Sequence, residues 1–82
     1  MGQQFPQQQF KTRFAVLVFI KGAAAPLVLY FEDAKAEYDE FVAAMQMPGA
    51  KMIEKEPLGP IKKVSVMSNQ IASVAIQEEL HP

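Results

Sequence analysis

The chain contains no cysteine. That excludes a disulfide framework, a thiolate nucleophile and a zinc–thiolate centre. A small chain without such staples suits a reducing compartment, so the expected localisation is cytoplasmic. Histidine is almost absent too. His81 is the one example, next to the last residue. A lone terminal imidazole, with no cysteine or second histidine to share a metal, reads as a solvated side chain. Ser65, Ser68 and Ser73 then have no histidine to activate them. The sequence also lacks an excess of charge of one sign. Eight basic and nine acidic residues leave a net charge of −1, which provides no general attraction to nucleic acid or to acidic membranes.

A long uninterrupted apolar run is missing as well. The most apolar stretch, Phe14 to Phe31, is broken in its middle by Lys21, Gly22 and Pro26. A membrane helix would carry that charge and those breakers where they cost most. A secretory signal would begin at Lys11 and Arg13 and end at Ala23-Ala24-Ala25. Its apolar core would be only seven residues long, and about 57 residues would remain after cleavage, fewer than usually fold without staples. The better reading is a β-hairpin. Two runs rich in β-branched and aromatic residues, Phe14 to Ile20 and Leu27 to Phe31, flank one turn segment.

What is present fits one small domain. Half of the 82 residues are hydrophobic, which supports a folded core and argues against global disorder. Residues 1–10 are uncharged up to Phe10, rich in Gln and without a period of 2 or 3.6. They are expected to form a flexible tail, with Phe5 and Phe10 as its only anchors for a partner. The domain is expected over residues 11–79, and residues 80–82 are expected to fray.

Within that domain strand one spans about Thr12 to Ile20, and strand two about Leu27 to Phe31. Pairing Ile20 with Leu27 sets Phe14, Val16, Val18, Ile20, Leu27, Leu29 and Phe31 on one face. Ala15, Leu17, Phe19, Val28 and Tyr30 then lie on the other. The first set is larger and wholly aliphatic or aromatic, so it is assigned to the core. A helix is predicted from Ala34 to Gln46. Asp33 is suited to cap it, Ala34, Tyr38, Phe41, Val42 and Met45 form its apolar stripe, and Met47-Pro48-Gly49 stops it. Glu37, Glu40 and Ala44 fall elsewhere on the cylinder. Lys51 to Glu56 is either a short strand or a connector, and Pro57-Leu58-Gly59-Pro60 marks a bend or a sheet edge. Strand three, about Ile61 to Met67, and strand four, about Ile71 to Gln77, are expected to form a hairpin that pairs Met67 with Ile71. The expected fold is therefore α+β, strand-strand-helix-strand-strand, with one helix on one face of a mostly antiparallel four-stranded sheet and strand one central.

No constellation for catalysis appears. Glu32, Asp33, Glu37, Asp39 and Glu40 cluster around the helix start. Asp33 and Glu37, at i and i+4, are spaced to hold a divalent cation, yet the acidic first turn of a helix accounts for them without one. Gly22 to Pro26 lacks the Gly-Lys-Ser/Thr ending of a phosphate loop. No catalytic, metal or cofactor residue is assigned, and no small-molecule substrate is inferred. The expected function is a non-catalytic protein-protein interaction or regulatory module. One face of the hairpin has nothing in the chain to cover it, so Ala15, Leu17, Phe19, Val28 and Tyr30 are expected to form a homodimer or protein-partner interface. The alternative is a weak nucleic-acid binder with a basic rim of Lys11, Arg13, Lys62 and Lys63, joined by Lys21. That rim needs strands one and three to be neighbours, and charged edge residues that discourage aggregation explain the same cations.

Overall fold

The structure, a computed structural model, describes residues 11–81. The expected N-terminal tail lies outside the described residues. The elements in chain order are β1 (Lys11–Ile20), β2 (Leu27–Tyr30), α1 (Ala34–Gln46), β3 (Met52–Lys55), β4 (Val64–Met67) and β5 (Ile71–His81). The class is α+β with antiparallel pairing throughout the described sheets. The strands form two sheets where one was expected: a three-stranded sheet ordered β2-β1-β5 and a two-stranded sheet of β3 and β4. β1 is central, as its apolar character on both faces predicts.

The hairpin of β1 and β2 keeps the predicted parity but moves its register by two residues. Val18 pairs with Leu27, Leu17 with Val28, and Ala15 with Tyr30. The cause lies at the turn. Ala23 N–H donates to the Ile20 carbonyl at 3.1 Å, and Lys21 N–H donates to the Gln70 carbonyl at 2.8 Å. Phe19 and Ile20 therefore continue the ladder with β5, and the loop to β2 is longer than the sequence suggests. Face assignment survives a shift of two because side chains alternate with period two.

The expected hairpin of strands three and four does not form. Residues 68–70 make a single 3-10 turn that carries the chain from one sheet to the other. Met67 pairs with Met52 in the small sheet, and Ile71 pairs with Ile20 in the large one. Lys51 to Glu56 supplies the missing partner as β3. β5 also outruns its expected end at Gln77. It pairs along β1 as far as Lys11 with His81, interrupted by a bulge between Phe19 and Ile20 that leaves Ala72 as the extra residue. Residues 78–81 are thus in register with β1, where fraying was expected of 80–82.

The helix matches its predicted bounds. Asp33 caps it, its side chain accepting from Ala36 N–H at 3.1 Å. The extended backbone of Met47 ahead of Pro48 stops it. α1 lies on the even-numbered face of β1. Val16, Val18, Leu29, Ala34, Phe41, Ile53 and Ile71 form the buried core, with Ile20, Leu27, Val64, Val66 and Val74 packed against it. The core is thus shared among the large sheet, the helix and the small sheet. That third party corrects the helix reading. Ala44 packs on the core, and Glu37 and Glu40 reach Lys55 on β3. The core assignment of Phe14 does not hold: it is 45% exposed, because it lies beside the first residues of the helix at an open groove shared with Phe31, Ala34 and Ile76.

Candidate functional site: the open face of the large sheet

The odd-numbered side chains of β1 point away from the helix. The ladder sets the expected interface residues side by side: Leu17 between Val28 and Ala75, and Ala15 between Tyr30 and Gln77. Phe19 lies across from Ser73. Leu17, Phe19, Val28, Tyr30 and Ala75 are partly buried, and Ala15 is fully buried at the floor of the face. None of the partly buried members packs against the core. Among the described residues, no helix or second sheet lies over this face. The four apolar neighbours Leu17, Phe19, Val28 and Ala75 therefore form a flat apolar patch.

A polar cluster closes one end of the patch. Tyr30 donates its hydroxyl to Glu79 Oε1 at 3.1 Å, and Arg13 Nε donates to the same oxygen at 3.3 Å. The Arg13 guanidinium lies over the Tyr30 ring, 4.2 Å from its centre, in reach of a cation–π attraction. Gln77 Nε2 donates to Glu79 Oε2 at 3.1 Å. Arg13, Tyr30, Gln77 and Glu79 thus orient one another across all three strands.

Sequence reasoning placed Tyr30 on this face but missed Ser73, Ala75, Gln77 and Glu79. The polar or small parity of β5 was visible in the sequence. Its position beside β1 was not, because strand order depends on long-range packing. The same order does not supply the adjacency of strands one and three that the basic rim requires. β4 pairs with β3 and not with β1, so Lys62 and Lys63 are not brought alongside Lys11 and Arg13 by a common ladder. Arg13 is committed to Glu79, and Lys63 Nζ lies 3.3 Å from Glu54.

Four of the five acidic residues at the helix start find structural partners, and the fifth, Glu32, is exposed. Asp33 caps the helix, Asp39 pairs with Lys35, and Glu37 Oε2 lies 2.7 Å from Lys55 Nζ, which also pairs with Glu40. The Lys55 side chain is only 14% exposed. Burial pulls its pKa down, but the Glu37 and Glu40 carboxylates outweigh burial and hold it above the ordinary lysine value. No group of three or more His, Asp or Glu among the described residues is placed to hold a metal ion. No described helix is long and apolar enough to cross a membrane. Comparison with protein-family models, with curated proteins and with solved structures found no match to this chain.

Proposed function

We propose that this chain is a non-catalytic self-association module of the cytoplasm, joined to a second copy through the open face of its large sheet. The observation that carries the reading is the apolar patch of Leu17, Phe19, Val28 and Ala75, partly exposed and without a covering element among the described residues. Fully burying a side chain of the Leu, Val or Phe type contributes roughly 1.5–3 kcal/mol. Leu17, Phe19 and Val28 are only partly buried, so part of that gain is left unrealised on this face, and a partner that covered them would recover it. A second copy presents the same patch, and a two-fold contact matches a patch with itself. The polar cluster of Arg13, Tyr30 and Glu79 would form the rim of such a contact. The cytoplasmic setting rests on the lack of cysteine. The test is light scattering after gel filtration. A dimer or higher species is expected at ~100 μM, where a micromolar contact is largely formed. A monomer at that concentration overturns the reading.

A further inference from the structure

The two edges of the large sheet are finished differently. At the β2 edge, Leu58 N–H donates to the Tyr30 carbonyl at 2.7 Å, forming an isolated bridge. Pro57 and Pro60 flank it, and neither has an N–H to offer a further strand. The bridge thus caps the Tyr30 end of this edge. The β5 edge has no neighbour strand among the described residues. Of the devices that blunt an exposed edge, its 11 residues lack proline and lysine; its bulge lies at the Ala72 end and its carboxylates, Glu78 and Glu79, near the other, which leaves Ser73 to Gln77 regular and uncharged.

The open edge has a defined set of hydrogen-bonding groups. Backbone groups alternate sides along a strand. Tyr30 turns its carbonyl away from β1, so its partner Ala15 turns toward β5, and Gln77 opposite Ala15 turns back toward β1. By the same alternation Val74, Ile76, Glu78 and Leu80 present their N–H and C=O groups outward. Their side chains share the helix side of the sheet. Ile76 and Leu80 are among the exposed large hydrophobics, at 38% and 69%.

We propose that β5 pairs antiparallel with β5 of a second copy, about a two-fold axis at Ile76. Three observations select this occupant and this register. Ile76 is the midpoint of β5, so the register overlaps the whole strand and sets Ile76 across from itself. It places Glu78 opposite Val74 and Glu79 opposite Ser73, whereas centring on Glu78 or Glu79 would set like charges directly across from each other. It also brings Leu80 of the second copy opposite Ala72. There a groove of about 420 Å³ opens between Tyr38, Val42, Met45 and Gln46 of the helix and Ala72, Ser73 and Val74 of β5. The exposed leucine of each copy thus meets the Tyr38, Val42 and Met45 side chains in the groove of the other, with Gln46 and Ser73 as its polar lining. The contact does not use the open face. A chain that makes both contacts assembles as a tetramer with crossed two-fold axes.

Cysteine crosslinking tests the register, because the chain has no cysteine of its own. In this pairing the Ile76 Cα atoms lie about 5.5 Å apart, within reach of a disulfide. The Glu78 Cα atoms are offset by four residues, about 13 Å, and are out of reach. Ile76→Cys is expected to become mainly disulfide-linked under mild oxidation, and Glu78→Cys to remain mainly single chains. Equal crosslinking of the two overturns the register. The Ile76→Cys crosslink is expected to persist when Leu17→Asp is added; its loss there assigns the proximity to the face contact and overturns the edge. Glu78→Pro removes an outward N–H and no bond to β1. It should keep the far-ultraviolet circular dichroism of the parent and halve the assembled mass. An unchanged mass with a folded spectrum overturns the edge contact while leaving the face reading intact.

Discussion

Ser68 and Lys51 hold each other by two hydrogen bonds. Ser68 N–H donates to the Lys51 carbonyl at 2.7 Å, and Lys51 N–H donates to Ser68 Oγ at 2.9 Å. Ser68 is 5% exposed. The pair ties the start of the 3-10 turn to the residue before β3, at the corner where the chain leaves the small sheet for the large one. The hydroxyl therefore replaces a ladder partner that strand geometry no longer supplies.

Ser68→Ala is expected to cost about 1 kcal/mol, the usual net worth of one hydrogen bond. For a domain of this size that lowers the melting temperature by about 4–8 °C. Thermal unfolding followed by circular dichroism measures it. An unchanged melting temperature would show that water serves Lys51 equally well.

Leu17 and Val18 are sequence neighbours on opposite faces of β1. Val18 is fully buried, so Val18→Asp puts an unpaired carboxylate in the core and is expected to unfold the domain. Leu17→Asp is expected to keep the secondary structure, lower the melting temperature and abolish the face contact, since like charges would meet at a two-fold. Circular dichroism and light scattering report both. Unfolding by Leu17→Asp with a mild Val18→Asp would reverse the two faces.

Lys55 links β3 to the helix through Glu37 and Glu40. Its folded-state pKa is raised above that of the unfolded chain. The resulting stabilisation is complete below the unfolded value of about 10.4 and is lost as pH rises through the folded value. Chemical denaturation from pH 8 upward should show stability falling above about pH 10.4, and Lys55→Met should remove that component of the slope. The same slope in the variant would place the alkaline loss elsewhere.

Gly59 has φ +87°, and a Cβ there would lie 3.3 Å from Tyr30 Cδ2. Gly59→Ala is strained by its backbone and also crowds the ring that Arg13 covers. A loss of at least about 1 kcal/mol is expected, since alanine is penalised wherever glycine adopts positive φ. Equilibrium denaturation checks it, and a neutral result would mean that the loop relaxes into a different conformation.

Single-stranded oligonucleotides are expected to bind no more tightly than about 100 μM at about 150 mM salt, within the non-specific range. The cations of Arg13 and Lys63 already have carboxylate partners. Fluorescence anisotropy at two salt concentrations tests this. A low-micromolar affinity that falls steeply with salt would favour the nucleic-acid reading.

Local chemistry was legible in the sequence. Asp33 ahead of an apolar stripe and Pro48 behind it delimit α1, since a cap and a breaker act within one turn of the helix. The parity of Phe14 to Phe31 sorts Val16 and Val18 from Leu17 and Phe19, because alternation along a strand needs no knowledge of its partners. Half of the open face was readable on that basis. The tertiary structure alone decided the rest. It set β5 beside β1, which added Ala75, Gln77 and Glu79 to the face. It gave β4 to β3 instead of to β5, and it set β5 rather than β4 beside β1, so no ladder joins Lys63 to Arg13. It also carried β5 to His81 and, among the described residues, left that edge without a neighbouring strand. Partner choice depends on which distant segments together exclude water best, and the polar outer parity of β5 was compatible with more than one neighbour. Ser68 shows the same division: a serine in a polar turn by sequence, it became a buried corner only when Lys51 was folded against it.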